Sequence, residues 1–578
     1  RQRRTKRIYI QYQRGILMMK QKTINKLFYF FLTVLILPNI IQIYTEGLGL
    51  WGNMVNIIAP VAFYILALTV GRRIGRTVII LFPILFLGAF QLVLTYLYGR
   101  GPIAVDMWLN LVTTNGDEVG ELLSQLLPAI GWVVIIYVPT IILAITLWTK
   151  KRDLDHTFVK HGRKSGFIMA VAAILLTTTV TISTDFIPTN SIFPLNACYN
   201  CTLAFGREKA SAEYHKTSDH FTFNAKSTID PTDTTRQTIV CVVGETSRSD
   251  NWQLYGYHRP TNPLLTKQQG LTVFSNYMSQ SNTTHKSVPI LLSLASAEDF
   301  NILFRTKGIM QAFREAGWHT AYISNQQRNH SFIDFLGEQA DDCIFLHDTA
   351  NGGSKAMTTD SDVLTPLRKQ LAKDYHKLFV VVHTYGSHFD YADRYPKLMA
   401  HFLPDSYNGA KPQYRQMMVN AYDNSIRFTD WLLHRIIRLA QQRGGATAML
   451  FTSDHGEDIF DDSRKLFLHA SPYPSFYQLH VPMVIWTSEV YTKQFPNEAD
   501  ALHRNSQLPA SSNCVFHTLL TLGHVATTYR NDTLSLASRR FMPQQKRFFL
   551  DDHNTPRTYE ECMQETDIRL LKLKHIIK

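Results

Sequence analysis

The chain has 578 residues, with 59 Lys and Arg against 46 Asp and Glu, and a formal net charge of +13. This length exceeds one ordinary hydrophobic core and predicts several domains, and six cysteines are too few for a fold that depends on disulfides. The positive charge invites a nucleic-acid function, but much of the excess lies in basic segments beside long apolar stretches, so we exclude nucleic acid as a partner.

Five long apolar stretches stand in the first third of the chain, each near the roughly 20 residues that a membrane-spanning helix needs. They are Leu27–Tyr44, Met54–Val70, Thr77–Tyr98, Leu126–Trp148 and Gly166–Thr184. The second stretch is the least secure, because it is the shortest and contains Pro60. Buried helices of soluble proteins rarely run so long without charge, so these stretches predict a membrane domain with five helices.

The basic residues around these stretches predict the orientation of the chain. The N-terminal tail and the segments 72–76 and 150–164 are rich in Lys and Arg, whereas the intervening loops hold mostly acidic residues. Loops on the cytoplasmic side carry the excess of Lys and Arg. We therefore expect a cytoplasmic N-terminus and a large C-terminal part on the opposite side of the membrane, and we assign no function to the tail before Met18.

The composition changes after the last apolar stretch and predicts the domain boundaries. Apolar strand-like runs alternate with helical patterns from residue 237 onward, which is typical of a doubly wound α/β sheet. The segment before it is polar, with room for an amphipathic helix. The predicted parts are a basic tail at 1–26, a membrane domain at 27–184, a linker at 185–236 and an α/β domain at 237–578.

Two short motifs follow apolar strand-like runs in this α/β domain. GETSR follows TIVCVV and brings Glu245 to the end of a strand, and SDHGE follows TAMLFTS and brings Asp454 and His455 to the end of another. Open α/β sheets gather their ligand-binding groups at the carboxyl ends of strands. Two carboxylates and an imidazole suit a divalent metal, zinc best.

A third motif, SQSNTTHKSVPILLSLA, predicts a turn followed by a helix that begins at Thr283 or Thr284. The N-terminus of a helix favours an anionic phosphoryl group, and a hydroxyl beside zinc becomes a nucleophile. Helix capping is the more common use of such a threonine. At this point either Thr283 or Thr284 could be the nucleophile.

Three histidines also lie near strand ends. His383 ends the run LFVVVHT, His388 follows it in the next loop, and His469 stands shortly after SDHGE. Any single histidine of this kind is more often packed or exposed than functional, but their concentration after strand ends favours a shared site.

Taken together, these motifs resemble those of the bacterial phosphoethanolamine transferases. GETSR, GYHRPTNP, the Thr284 turn, YISNQQ, HTYGSH, AYDNSIRFTDWLL, SDHGE and LHASP occur in that family's order, and TTNGDEVGELL is similar to a loop between its membrane helices. The resemblance runs from the first apolar stretch almost to the C-terminus. It implies a catalytic domain of the alkaline phosphatase and sulfatase type behind five membrane helices, in a family of which some members confer polymyxin resistance.

The resemblance also implies roles for individual residues. Zinc would be bound by Glu245, Thr284, Asp454 and His455, and Thr284 would be the nucleophile. The histidines His383, His388 and His469 would line a second zinc or the phosphoryl pocket, His383 as a metal ligand and the other two as catalytic groups. The expected substrate contacts are Asn115, Glu118, Glu121 and Asn325.

The implied reaction moves phosphoethanolamine from phosphatidylethanolamine to lipid A or the lipopolysaccharide core through a phosphothreonine. The implied location is the bacterial inner membrane, in contact with membrane lipids, with the catalytic domain in the periplasm. Two other functions stay open. A phosphoglycerol transferase would use the same metal site, and an inactive lipid-binding module would keep only the fold. A sulfatase activity is disfavoured, because Leu291 stands where the formylglycine signature requires Arg.

Overall fold

The protein is described here by a computed structural model that covers residues 2–98, 101–113, 116–184, 186–349 and 359–577, with the side chains of 2–21, 98, 110–125 and 349 left aside. The chain forms two compact units. One contains Arg1–Trp108 and Leu122–Ala204, and the other contains Leu109–Glu121 and Phe205–Lys578. We name them the membrane unit and the catalytic unit after the roles that the sequence leads us to expect, and the domain boundaries expected from the sequence stay predictions.

The first part of the chain is helical. Its helices are α1 (Gln2–Thr45), α2 (Gly49–Leu68), α3 (Ile74–Ile80), α4 (Phe82–Tyr98), α5 (Val105–Thr113), α6 (Gly116–Thr149) and α7 (His156–Ser183). Among the described residues, four helices are long and apolar enough to cross a membrane, in α1, α2, α6 and α7. The pair α3 and α4 makes a fifth if it counts as one span. The predicted set of spans is therefore confirmed at four to five.

The third apolar stretch, rather than the second, is the irregular one. Helix α2 runs through Pro60 without a break over 20 residues. Helices α3 and α4 meet at an angle of 60° instead of forming one straight helix. Pro83 stands in the first turn of α4, where a residue without a backbone N–H is well tolerated and a preceding helix is not continued. The expectation that the second apolar stretch is the least secure span was wrong. The break in the helix lies in the third stretch.

Short helices follow α7 in the segment expected to be a linker. They are α8 (Pro188–Ser191), α9 (Leu195–Ala212) and α10 (Tyr214–Ser218). Tyr214 stacks on Phe335 and is almost fully buried in the core of the catalytic unit. The end of this segment is therefore part of that core.

The catalytic unit alternates strands and helices. Its strands are β1 (Lys226–Ser227), β2 (Gln237–Gly244), β3 (Leu271–Val273), β4 (Tyr277–Met278), β5 (His319–Ser324), β6 (Asp342–Phe345), β7 (Lys377–His383), β8 (Ala446–Ser453), β9 (Asp458–Ile459), β10 (Phe467–Leu468), β11 (Met483–Thr487), β12 (Ala510–Ser511), β13 (Val525–Ala526), β14 (Phe548–Leu550) and β15 (Pro556–Thr558). Its helices are α11 (Thr284–Leu292), α12 (Ile309–Glu315), α13 (Phe332–Gly337), α14 (Leu346–Thr349), α15 (Leu364–Ala372), α16 (Arg415–Arg443), α17 (Phe476–Leu479), α18 (Glu489–Gln494), α19 (Pro496–Asn505), α20 (Cys514–Leu522), α21 (Tyr559–Cys562) and α22 (Glu565–Leu573).

A seven-stranded sheet organises this unit, in the order β3-β11-β8-β2-β7-β5-β6. The strands from β8 to β6 are parallel, whereas β11 is antiparallel to β8 and β3 is antiparallel to β11. The predicted α/β sheet is confirmed, with a correction: one edge is mixed. Strands buried on both faces need a continuous apolar run, and every residue of β2 and β8 is buried.

The register of the central strands sets the position of the functional motifs. Val243 of β2 lies opposite Thr452 of β8 on one side and His383 of β7 on the other. The residues that follow these strands therefore emerge side by side, at the carboxyl edge of the sheet.

Candidate functional site

The two motifs that follow β2 and β8 meet at the carboxyl edge of the sheet. The backbone N–H of Asp454 donates to the carbonyl oxygen of Gly244 over 3.0 Å, which continues the pairing of the strands by one residue. Glu245 and Asp454 are 1% and 0% exposed, and so is His455 at 0%. Their ligand atoms all lie within 4.8 Å of one another. The sheet register thus gathers two carboxylates and one imidazole in a dry site.

The hydrogen bonds around these groups leave metal-binding atoms directed inward. Oδ1 of Asp454 accepts the N–H groups of Thr246 and His455, whereas Oδ2 has no hydrogen-bond partner. Nδ1 of His455 lies 3.0 Å from the carbonyl oxygen of Gly456, to which it donates. Nε2 of His455 faces the two carboxylates and lies 3.3 Å from Oε1 of Glu245, so a metal bound there would take the place of the proton on this nitrogen. A backbone carbonyl orients the ring in the usual manner of metal-ligating histidines.

The electrostatics of the three groups favour a cation between them. Burial and the charge of Glu245 raise the pKa of Asp454 to about 7. Burial alone would lower the pKa of His455, but the two carboxylates outweigh it and raise the value to about 10. Burial likewise opposes ionisation of Glu245, yet the hydrogen bond from His455 holds its pKa below the ordinary range. Two buried carboxylates need a positive partner, and this donor set fits zinc.

Thr284 faces the same cluster from the first residue of α11. Its Oγ1 lies 3.3 Å and 3.4 Å from the two carboxylate oxygens of Glu245 and 3.1 Å from Nε2 of His455. Thr283 precedes the helix and its hydroxyl lies 3.2 Å from that of Ser281. Of the two adjacent threonines, Thr284 is the one whose hydroxyl meets the candidate metal ligands.

Two more predicted histidines lie beside this cluster. The ring of His469 is 4.1 Å from that of His455 and 5.8 Å from that of His388, measured between centroids. Burial and the neighbouring His455 hold the pKa of His469 well below its ordinary value. Nδ1 of His388 donates to the carbonyl oxygen of Phe389 over 2.7 Å. Both rings border the cluster without belonging to the three-residue group.

His383 and Asn325 are nearby, and in each one polar atom of the side chain is hydrogen-bonded while another, Nε2 of His383 and Oδ1 of Asn325, is buried without a hydrogen-bond partner. His383 is fully buried, and its Nδ1 lies 3.0 Å from the hydroxyl of Tyr322. Burial lowers the pKa of His383 to about 4, so the ring is neutral. Nδ2 of Asn325 donates to Asp360 over 2.8 Å. Neither residue is in the three-residue group, and both roles stay predictions.

The three predicted substrate contacts in the loop between membrane helices have no side chain in the part of the structure that is described. Asn115 lies outside the described residues. Glu118 and Glu121 lie in α6, where only the backbone is described.

Three residues that the sequence did not single out support the site. Glu457, two residues after His455, is fully buried, and one of its oxygens lies 3.5 Å from Nδ1 of His469. Asp360 accepts the backbone N–H groups of Tyr385 and Gly386, each over 2.8 Å. Position within SDHGE could have indicated Glu457. No sequence signal indicated Asp360, because its partners lie far along the chain.

The third support is Arg248, the last residue of GETSR. Its guanidinium makes two hydrogen bonds to Asp461, of 2.6 Å and 3.0 Å, and donates to the carbonyl oxygen of Glu457 over 3.0 Å. It also lies over the rings of Tyr422 and Tyr477. Because Arg248 contacts both motifs, it fixes the loops after β2 and β8 relative to each other.

Comparison with known proteins is consistent with this arrangement. The profile of the family described as Sulfatase matches residues 237–525, which is half of the chain. Phosphoethanolamine transferase EptA of Escherichia coli K12 is 29% identical over 300 residues, covering 50% of this chain and 54% of that protein. The Kdo(2)-lipid A phosphoethanolamine 7''-transferase of the same organism is 26% identical over 285 residues, or 48% of each chain. The chain thus matches about half the length of these relatives.

A solved structure supports the fold of nearly the whole chain. The integral membrane lipooligosaccharide phosphoethanolamine transferase A from Neisseria meningitidis aligns with a TM-score of 0.69 at 20% identity, over 89% of this chain and 97% of that one. The resemblance inferred from the motifs is confirmed by these relatives. The chain belongs to the sulfatase family, and its relatives there are phosphoethanolamine transferases.

Proposed function

We propose that this protein transfers phosphoethanolamine from phosphatidylethanolamine to lipid A or to the lipopolysaccharide core. The observation that carries the proposal is the position of the Thr284 hydroxyl, 3.1 Å from His455 and 3.3 Å from Glu245. A nucleophile held against metal ligands at the first residue of a helix suits attack on an anionic phosphorus. The names of the curated relatives support this donor group and this acceptor class.

Glu245, Asp454, His455 and Thr284 are the residues that would hold zinc. Zinc bound there would lower the pKa of the Thr284 hydroxyl and neutralise negative charge on the phosphoryl oxygens. The surplus histidines His388 and His469 leave room for a second ion. Their own hydrogen-bonding groups also suit contacts to the phosphoryl oxygens.

The reaction proceeds in two displacements at phosphorus. Oγ1 of Thr284 forms a bond to the phosphorus of the donor, the bond to the diacylglycerol oxygen breaks, and that oxygen takes up a proton. An oxygen of the acceptor then attacks the same phosphorus, the bond to Thr284 breaks, and the acceptor proton leaves to a base. In the first displacement the proton of the Thr284 hydroxyl ends on the diacylglycerol oxygen, and in the second the acceptor proton ends on Oγ1 of Thr284. His469, whose ring lies 4.1 Å from that of His455, or His388 would carry the proton between these oxygens.

We place this chemistry in the periplasm, with the membrane helices in the inner membrane and the N-terminus in the cytoplasm.

The test uses the full chain in proteoliposomes that contain phosphatidylethanolamine with a labelled headgroup, and lipid A as the acceptor. Thr284→Ala is expected to reduce transfer about 10³-fold or more, whereas Thr283→Ala, the matched control, keeps most of it. Peptide mass spectrometry of the trapped intermediate should find phosphoethanolamine on Thr284. The label on Thr283 would overturn the assignment of the nucleophile, and transfer from phosphatidylglycerol instead would make the protein a phosphoglycerol transferase.

A further inference from the structure

The loop between β7 and α16 exposes large apolar side chains to solvent. In the segment 395–411, here called the 395–411 loop, Leu398 is 101% exposed and Leu403 is 67% exposed. Leaving such side chains in water forgoes the stabilisation that burial would give. Apolar side chains that are exposed together on one segment indicate a binding surface, whereas singly scattered ones are ordinary.

Hydrogen bonds to α16 fix the conformation of this loop. Oδ1 of Asn424 accepts the N–H groups of His401 and Phe402, each over 2.8 Å, and its Nδ2 donates to the carbonyl oxygen of Phe402 over 3.0 Å. Asn420 donates to the carbonyl oxygen of Pro404 over 2.8 Å. The exposure of the two leucines is therefore built into the fold.

The loop stands at the same edge of the sheet as the candidate metal ligands. It follows β7, whose last residue lies opposite Val243, and it rests on the first turns of α16. From those same turns, the hydroxyl of Tyr422 donates to the carbonyl oxygen of Thr246 over 2.7 Å and accepts from the N–H of Arg248 over 2.9 Å. One helix terminus thus holds both the loop and the segment that follows Glu245.

The charge of the loop is positive where it is exposed. Lys397 is exposed and Lys411 is partly exposed. Asp405, the one acidic residue of the 395–411 loop, is buried and accepts a hydrogen bond from Tyr395. Lys397 directly precedes Leu398, and Lys411 ends the loop. Exposed leucines with basic residues on the same segment are typical of segments that lie in the interface of an anionic bilayer.

We propose that the 395–411 loop contacts the surface of an anionic phospholipid bilayer, with Leu398 and Leu403 in the interface. The inference rests on the proposed function, because a site that takes headgroups from a bilayer must present its own edge to that bilayer. The same chain contains helices long and apolar enough to cross a membrane, so the chain itself would tether the catalytic unit to a bilayer. A weak contact therefore suffices, since tethering raises its effective concentration.

The direct test places a tryptophan on the loop of the full chain in phosphatidylethanolamine–phosphatidylglycerol vesicles. Leu398→Trp is compared with Val490→Trp in α18, and Val490 is 44% exposed. Helix α18 follows the end of β11, which pairs with the start of β8, so Val490 lies at the opposite edge of the sheet. After subtraction of the eight native tryptophans, brominated acyl chains should quench the residue at 398 and not the one at 490. Equal quenching of both by aqueous acrylamide, with no effect of brominated lipid, would overturn the proposal.

A second measurement separates this contact from the reaction itself. The double variant Leu398→Glu with Leu403→Glu is expected to raise KM about tenfold for phosphatidylethanolamine in vesicles, with turnover of a short-chain, water-soluble phosphatidylethanolamine unchanged. Val490→Glu should change neither. Equal loss with both donors would assign the loop to folding or to the site and overturn the bilayer contact. If the parent protein used neither donor, the proposed function would fail, and the quenching experiment would still decide the role of the loop.

Discussion

The buried carboxylates of the catalytic unit differ in the partners that stabilise their charge. Burial opposes ionisation of Asp461, but the guanidinium of Arg248 outweighs it and holds its pKa below the ordinary value. Burial raises the pKa of Asp360, although three N–H donors partly offset it. Asp430 accepts the backbone N–H groups of Leu264 and Leu265, but burial outweighs them and raises its pKa to about 6.

Asp430 should therefore make stability depend on pH. Between its ordinary value of 3.8 and about 6, the folded state keeps a proton that the unfolded state has released, so the free energy of unfolding falls as pH rises through this window. The contribution is about 3 kcal/mol at most, and Asp430→Asn should remove it. Unfolding midpoints from pH 4 to pH 7, followed by calorimetry, test this; a profile parallel to that of the exposed control Asp500→Asn would contradict it.

Sequence reasoning found the residues whose place follows from strand ends. Glu245, Asp454 and His455 each follow an apolar run directly, and parallel strands bring such positions together. Asp360 could not be found in this way, because it acts on a turn 25 residues further along the chain. Its role depends on how α15 and the strand after it pack, which no local pattern encodes.

At the scale of elements, the turn after β7 must pass very close to Glu245. Gly386 has a φ of +55°, and a Cβ atom there would lie 2.4 Å from the carbonyl oxygen of Glu245. The N–H of Gly386 is held by Asp360, and the N–H of Ser387 donates to that same carbonyl oxygen over 2.9 Å. The turn and Glu245, a candidate metal ligand, therefore cannot move independently.

Gly386→Ala is expected to weaken zinc binding by about 10-fold or more, because the methyl group must displace the backbone of Glu245. Gly317→Ala is the matched control, since Gly317 has a φ of +78° and open space around its Cβ position. Both variants bear the strain of the left-handed conformation, about 1 kcal/mol, but only the first meets a metal ligand. Zinc retained after dialysis against buffered zinc measures the difference, and equal affinities in the two variants would refute the argument.

Strands that appear in the sequence as one continuous apolar run were predicted well. Strands that form through pairing with a neighbouring strand were predicted poorly. The apolar runs of β2, β7 and β8 are buried on both faces and stand out in the sequence. Strands β3 and β6 are short and only partly buried, so they carry no such run. The antiparallel direction of β11 could not be predicted either, because an apolar run does not indicate the direction of its strand in the sheet.

At the scale of the whole molecule, the chain divides into a helical membrane unit and a catalytic unit that holds the candidate metal ligands. A ligand that binds only the folded state stabilises the unit in which it binds. Zinc should therefore stabilise the catalytic unit and leave the unfolding of the membrane helices unchanged. Once the accessible thiols of Cys198, Cys201, Cys343 and Cys562 have been alkylated in the folded protein, the thiols of Cys241 and Cys514, both 0% exposed, offer a probe of the catalytic unit.

The expected result is a rise in the temperature at which these two thiols react with a fluorogenic reagent. With free zinc 100-fold above Kd, the stabilisation is about 2.7 kcal/mol, and chelation should reverse it. The loss of helical circular dichroism from the membrane unit should stay at the same temperature. Glu245→Gln removes one of the two buried carboxylates of the candidate site. In this variant, the temperature at which the two thiols react should no longer respond to zinc. A transition in the parent protein that is equally insensitive to zinc and to chelator would show that these ligands do not form a zinc site.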